Sequence, residues 1–239
     1  MIRINSIEKS YKHITVLRGI NMCFAEGRTT ALLGPNGSGK TTLIKIILGL
    51  VHQDAGTVLV HGNDIAMQSA YRADIGYMPQ IARYPENLRV DELLNMIADV
   101  RNATPRRKEE LMDVFDLHPH RAKSMRSLSG GTRQKVSAVA ALMFDTPILI
   151  LDEPTAGLDP LMARRLKDVV LREKEKGRTI ILTTHILSEI EELSDDITCI
   201  LEGCVTFHGS RHELLSSTGC INVEHALASL QPSPQRRAA

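Results

Sequence analysis

Gly34-Pro35-Asn36-Gly37-Ser38-Gly39-Lys40-Thr41 is the stretch that decides how this chain of 239 residues is read. It fits G-x-x-x-x-G-K-[ST], a phosphate-binding loop, and its flanks supply the context that pattern needs. Thr29-Thr30-Ala31-Leu32-Leu33 reads as a short buried strand. Leu43-Ile44-Lys45-Ile46-Ile47-Leu48 reads as a buried helix ending near Gly49. The glycines let successive backbone N–H groups converge on phosphate oxygens, and the positive end of the helix dipole adds to the attraction. Lys40 is expected to reach the β- and γ-phosphates of a nucleotide, and the Thr41 hydroxyl to lie on Mg²⁺. A glycine-rich strand-to-helix turn with no ligand is the bland alternative, and it loses ground with each further motif.

Outward from the loop, the next strong signal is Ile148-Leu149-Ile150-Leu151-Asp152-Glu153, an apolar strand ending in two acids. A carboxylate at a strand end beside a phosphate loop can hold Mg²⁺, which suits Asp152. Glu153, one residue on, is placed to polarise an attacking water. Alone, such acids are as well explained by a strand running into solvent. Leu128-Ser129-Gly130-Gly131-Thr132 precedes a helix and makes another anion-binding helix start, with a plain N-cap as its alternative. A chain that already has one loop for phosphate does not need a second. This second one reads as serving a nucleotide held by another subunit.

The rest of the chain fits one nucleotide-binding core with an insertion. Ile2-Arg3-Ile4-Asn5 alternates like an edge strand, and Ile20-Asn21-Met22-Cys23-Phe24 looks like another. Gly56-Thr57-Val58-Leu59-Val60 is a strand entering a turn at His61-Gly62, and Ile75-Gly76-Tyr77-Met78-Pro79-Gln80 is a strand closed by proline. Residues 81–145 change to helical periodicity. Val90, Leu93, Leu94, Ile97 and Val100 are expected on one face, a helix is expected from Pro105 to Phe115, and another over about 132–144. Strands and helices then alternate: 148–151, a helix over 160–176, 179–182, a helix over 186–193, and a hairpin of 197–200 with 205–207. The uninterrupted apolar strands suggest a parallel sheet buried on both faces. The expected organisation is a core of 1–80 and 146–210, a helical subdomain of 81–145, a closing helix at about 211–230, and a disordered tail, 231–239.

Composition narrows the class. Lys plus Arg minus Asp plus Glu is 29 − 28, or +1, which argues against a polyanion binder built on bulk charge, and 43% hydrophobic residues are enough for a sizeable core. No apolar run is long enough to span a membrane, and the N-terminus lacks a signal peptide's apolar segment. Cys23, Cys199, Cys204 and Cys220 are read as reduced thiols, although Cys199 and Cys204 flank the turn Glu202-Gly203. The expectation is a soluble cytoplasmic protein.

With these motifs in order, the chain resembles the ATP-binding subunit of an ABC transporter over nearly its whole length. The signature, 128–132, and Asp152-Glu153-Pro154-Thr155-Ala156-Gly157-Leu158-Asp159 are close to unique to that family. The resemblance implies an α/β fold: a P-loop NTPase (RecA-like) core with an antiparallel β-subdomain and an inserted α-helical subdomain. It implies ATP and Mg²⁺ as ligands. Tyr11 becomes the aromatic against adenine, and Gly34, Pro35, Asn36, Gly37, Ser38, Gly39, Lys40, Thr41 and Thr42 the phosphate cradle. Thr41, Gln80 and Asp152 become metal-binding, Ser129, Gly130 and Gly131 act on the nucleotide of a second copy, and Asp159, counted with the nucleotide-binding residues, crosses the dimer interface and also reads as the N-cap before Pro160. Glu153, His185, Gln80 and Lys40 become catalytic, with Gln80 also tying the core to the helical subdomain. Thr132 departs from the family's usual glutamine.

The function so implied is ATP hydrolysis by a homodimer that drives a separate membrane permease from the cytoplasmic face of the membrane. No nucleic acid partner is expected. The short C-terminal segment, Thr218 to Leu230, resembles that of ABC-2-type exporter ATPases. Met78-Pro79-Gln80 with Arg83-Tyr84-Pro85-Glu86-Asn87 resembles more weakly the ATPases of copper-enzyme (nitrous-oxide reductase) maturation systems. The competing class is a soluble ABC ATPase without a permease, such as an iron–sulfur cluster assembly ATPase. DNA-repair ATPases would need long heptad segments, and translation-factor types a second motif set; the chain has neither.

Overall fold

The computed structural model describes residues 1–230, so the expected tail, 231–239, lies outside the described residues. The described residues form two compact units: Met1–Ser69 with 183–230, and Ala70–Leu182.

The first unit opens with a long antiparallel hairpin, β1 (Ile2–Tyr11) and β2 (Ile14–Phe24), in which Ile2 faces Phe24 and Ile4 faces Met22. Ile2, Ile4 and Ile7 are buried while Arg3 and Glu8 stay exposed, the two-residue alternation of a sheet with one dry face. β3 (Thr29–Leu33) is buried at all five positions and runs through the phosphate loop into α1 (Lys40–Ile47). β4 (Ala55–Val60) and the short β5 (Asn63–Asp64) follow, joined by His61 and Gly62, both at positive φ. The resulting sheet has the order β2-β1-β4-β5. β1 is therefore an inner strand, and the edge-strand expectation fails: its exposed residues mark the wet face, not an unpaired edge.

The second unit begins with β6 (Ile75–Met78), parallel to β7 (Ile148–Asp152), and is completed by β8 (Thr179–Thr183) in the order β8-β7-β6. β7 and β8 are buried at every position, as their uniform hydrophobicity requires. Between β6 and β7 lie α2 (Val90–Arg101), α3 (Lys108–Val114) and α4 (Gly130–Leu142), and α5 (Pro160–Glu175) precedes β8. Two helix expectations need correction. Val90, Leu93 and Leu94 are buried as expected, but in the last turn Ala98 takes the buried place, Ile97 is half-buried and Val100 is 81% exposed. Pro105 belongs to the turn before α3, not to the helix. α4 lies against β6 at Gly76, where an added Cβ would come within 2.3 Å of the Ala141 carbonyl oxygen. Arg107, at the start of α3, donates to Glu173 on α5 at 2.5 Å, and both are buried. The pair is part of a network, since Arg107 also reaches Glu110 at 2.9 Å and Glu173 also reaches Lys176 at 2.9 Å, so each charge keeps a second partner.

The chain then returns to the first unit with α6 (Leu187–Leu193), β9 (Asp196–Leu201) and β10 (Cys204–Ser210). β9 lies parallel to β3 and antiparallel to β10. The expected closing helix is two helices. α7 (Arg211–Thr218) ends at Gly219 in the left-handed conformation, and α8 (Val223–Ser229) starts afresh from Asn222, whose side chain accepts from the His225 N–H at 2.9 Å. Among the described residues no helix is long and apolar enough to cross a membrane. All four cysteines are free.

Candidate active site

In the first unit, the phosphate loop is a turn only glycine can make. Gly34, Gly37 and Gly39 have φ of 148°, 81° and 108°. A Cβ at Gly34 would lie 2.1 Å from the Ile200 carbonyl oxygen, and one at Gly39 2.6 Å from Leu17 Cδ2. The loop is thus pressed against β9 and β2 by residues with no side chain to displace. Gly39 precedes α1 without any side-chain cap, so that helix start offers its backbone donors outward. Lys40 is buried and curls over the loop, donating to the carbonyls of Gly34 at 2.6 Å and Pro35 at 3.1 Å. Ser38 Oγ is buried with no hydrogen-bond partner, at a place where a phosphate oxygen would satisfy it. A cradle that a Cβ would fill, an orphaned hydroxyl and a lysine make a donor set that fits a nucleotide's phosphates. Thr41 is exposed at the second position of α1, its hydroxyl available to a cation.

Also in this unit, Tyr11 ends β1 as a 45% exposed residue, with the Lys9 ammonium over its ring at 5.4 Å from the ring centre. His185 is exposed and borders a cleft of about 270 Å³ that also includes Gly34 and Pro35. The cleft brings the expected switch residue to the root of the phosphate loop. Its neighbour Thr184 is anchored: its hydroxyl donates to buried Glu189 at 2.5 Å and accepts from the Ile186 N–H. Neither Thr184 nor Glu189 carried a sequence signal beyond sitting near a histidine. Burial pushes the Cys199 thiol, in the same cleft, up to about 12, which keeps it protonated and inert.

In the second unit, β7 delivers Asp152 buried and Glu153 half-exposed. Glu153 has φ of 49°, a left-handed conformation that non-glycine residues adopt at a cost of about 1–3 kcal/mol and that clusters at functional sites. Gln80, two residues beyond β6, donates from Nε2 to Glu153 Oε2 at 2.9 Å. The two residues expected to handle water are therefore in direct contact. The Tyr77 hydroxyl is pushed up to about 12, by burial and then by the Asp152 charge, so it stays a neutral neighbour. Asp159 caps α5, accepting from the Met162 N–H at 3.0 Å.

The signature turn belongs to this unit as well. Ser129 caps α4, its hydroxyl accepting from the Thr132 N–H at 3.3 Å and lying 2.9 Å from the Thr132 hydroxyl. Gly131 is packed so closely on the segment after Glu153 that a Cβ would lie 2.8 Å from the Gly157 carbonyl oxygen. Gln134, buried on α4, donates to the Pro154 carbonyl at 3.3 Å, and the Tyr84 hydroxyl donates to buried Ser137 on the same helix at 3.4 Å. Both ties escaped the sequence reading, because contacts across 20 and 53 positions leave no local pattern.

Residues 17–156 match the family described as ABC transporter. The chain is 35% identical over 223 residues to the daunorubicin resistance ATP-binding protein DrrA3 of Streptomyces coeruleorubidus, a match covering 91% of this chain and 71% of that protein. It is 34% identical to the Nod factor export ATP-binding protein I of Burkholderia orbicola, over 93% of this chain and 75% of that one. A solved ATP-binding subunit of an ABC transporter superposes with a TM-score of 0.90 at 28% identity, covering 96% of this chain and 99% of the other. The chain belongs to the ABC transporter family. Within that family it is an ATP-binding subunit with the ABC ATPase fold, a P-loop NTPase that binds and hydrolyses ATP.

Proposed function

We propose that this subunit works as a homodimer coupled to a separate membrane permease of the export kind, held at the cytoplasmic face of the membrane by that permease. Two ATP molecules would lie between copies, each facing the phosphate loop of one copy and the signature turn of the other. The observation that carries this reading is the pair of glycine-rich helix starts in one chain, one shaped as a phosphate cradle and the other capped at α4. Similarity to a Nod factor export ATP-binding protein supports the direction of transport.

Each residue's role follows from its chemistry. Tyr11 stacks on the base, and the backbone amides of 34–39 with Thr42 bind phosphate. Lys40 leaves its loop carbonyls for the β- and γ-phosphates and neutralises charge as the terminal phosphoryl group transfers. Thr41, Gln80 and Asp152 would hold Mg²⁺, which supplies charge neutralisation and alignment of the phosphate oxygens. Gln80 holds the Glu153 carboxylate, which accepts a proton from the attacking water. Water oxygen bonds to the γ-phosphorus as the bond to the bridging oxygen breaks, giving ADP and phosphate. His185 hydrogen-bonds the γ-phosphate. Ser129, Gly130, Gly131 and Asp159 act on the nucleotide of the second copy.

Glu153→Gln tests this directly. Hydrolysis is expected to fall by about 10²–10⁴-fold, the usual scale for a lost general base. ATP affinity should stay within about threefold, and the protein should elute as a dimer on ATP addition. Fast turnover by the variant removes Glu153 from its role, and a monomer with ATP bound removes the composite site. Affinity purification of the tagged wild type from detergent-solubilised membranes tests the partner: a multi-spanning protein at equal stoichiometry is expected, and recovery from the soluble fraction alone would refute the permease.

A further inference from the structure

Glu153 stands in a backbone conformation that its own sequence disfavours. Its φ is 49°, and the next residue is Pro154, before which a chain prefers extended geometry. Such a conformation persists where the surrounding structure holds it. Proline brings no N–H, so a side chain from elsewhere can grip this residue's backbone at its carbonyl oxygen. The Pro154 carbonyl accepts from Nε2 of Gln134 at 3.3 Å, and both residues are buried. The Glu153 carbonyl accepts from the Ala156 N–H at 3.1 Å, which closes a tight turn directly behind the acid.

Gln134 belongs to a stripe of α4 in which its companions are small. Gly131, Gln134, Ala138 and Ala141 recur at three- and four-residue spacing and so share one face of the helix. At Gly131 a Cβ would lie 2.8 Å from the Gly157 carbonyl oxygen, and the Ala141 carbonyl leaves no room for one on Gly76 of β6. Small residues alone explain that close approach. A carboxamide buried among them is costly unless it is hydrogen-bonded, and an apolar side chain of the same length would fill the space. What the amide adds is a directed donor on the residue after Glu153. Gln80 holds the carboxylate at 2.9 Å, and Gln134 holds the backbone that carries it.

We propose that Gln134 is a positioning residue for Glu153: its amide, seated by α4 on the Pro154 carbonyl, keeps the turn that aims the carboxylate. This assignment rests on Glu153 accepting the proton of the attacking water. Gln134 acts through Glu153 and has no part in binding nucleotide. The same helix begins at the signature turn, so the tie joins Ser129 to the acid through one rigid element. The phosphate loop, 34–41, takes no part in the tie. Its loss therefore falls on turnover and not on ATP affinity.

The test uses the full chain with Gln134→Met, which keeps the length and removes the donor. Val139→Ala, buried on the same helix, is the control for lost stability. Gln134→Met is expected to lose about tenfold or more in kcat, since a displacement on the order of 1 Å costs up to about a hundredfold. Equilibrium dialysis should show its ATP affinity within about twofold of wild type. Val139→Ala should melt at a lower temperature and yet keep kcat within about twofold. In a Glu153→Gln background, Gln134→Met should change the residual rate by less than about twofold, because the carboxylate it positions is gone. Circular dichroism identifies a variant that fails to fold; Gln134→Asn, whose amide stops one carbon short, then carries the same comparison. Wild-type kcat in the folded variant overturns the proposal. So does an equal loss in Val139→Ala, or the same factor lost in the Glu153→Gln background. Full turnover by Glu153→Gln alone overturns instead the role of Glu153.

Discussion

The two glycine-rich helix starts of this chain look alike in sequence and are built on opposite principles. At 34–41 the glycines are obligatory for backbone reasons: three have positive φ, and two of those have no room for a Cβ. The helix behind them has no side-chain cap, and one buried hydroxyl lacks a partner. At 129–132 neither Gly130 nor Gly131 has positive φ, a Cβ at Gly130 would meet nothing within 4 Å, and Ser129 already satisfies the Thr132 amide. The first turn is a mould set by its backbone, with the Ser38 hydroxyl buried and unpartnered. The second is capped by its own side chain, with Gly131 packed closely on Gly157 and Gly130 open on its outer side, where the proposed second copy would approach.

That contrast fixes the largest expected effect. Gly39→Ala adds a methyl group 2.6 Å from Leu17 Cδ2 at a φ of 108° and should weaken ATP binding by the isolated chain at least about a hundredfold, given overpacking costs of about 1–3 kcal/mol on top of left-handed strain. Gly130→Ala should leave that same binding within twofold and yet slow hydrolysis at protein concentrations that favour the dimer. Titration of the isolated chain by calorimetry reads both. If the two substitutions weaken binding alike, the turns do not differ in kind.

How much of this was legible beforehand depends on the range of the interaction. The phosphate loop, the acids after β7 and the fully buried strands were readable because each is a local pattern of residue types with one backbone solution. β1 was misread because exposed residues on an inner strand and on an edge strand give the same alternation. Val100 was misread because a hydrophobic residue at helical spacing need not be buried when Ala98 fills the narrower contact. The break between α7 and α8 was present as Gly219 and Asn222, and both were passed over inside a segment treated as one helix. What could not be read is tertiary: the Gln80 amide on Glu153, Gln134 on Pro154, and the close approach of α4 at Gly76.

A middle effect separates a cap from a ligand contact. Ser129→Ala removes an N-cap, worth about 1 kcal/mol, and should lower the melting temperature by a few degrees. ATP binding by the isolated chain should not change, because the mould lies elsewhere. Hydrolysis by the dimer should fall by more than the stability change explains, since the variant also loses the proposed contact of that hydroxyl with the partner's nucleotide. Ser129→Asn restores a capping side chain; recovery of stability without recovery of turnover would show both roles, and recovery of both would leave the cap alone.

Thr132 gives the smallest and most discriminating effect. Its hydroxyl lies 2.9 Å from Ser129 Oγ, so one of the two hydroxyls donates to the other and part of the capping oxygen's capacity is spent within the turn. The family's usual residue at this position, glutamine, is a better helix former than threonine by a few tenths of a kcal/mol and is long enough to reach past Ser129. Thr132→Gln should therefore leave the melting temperature within about a degree and ATP binding by the isolated chain unchanged. It should also release the Ser129 hydroxyl, raising turnover by the dimer about two- to threefold with the gain appearing in the ATP concentration needed for half-maximal rate, because a single neutral hydrogen bond is worth about 0.5–1.5 kcal/mol. A fall in turnover would mean that the paired hydroxyls are themselves the donor presented to the second copy, and the departure at Thr132 would then be a working part of the turn.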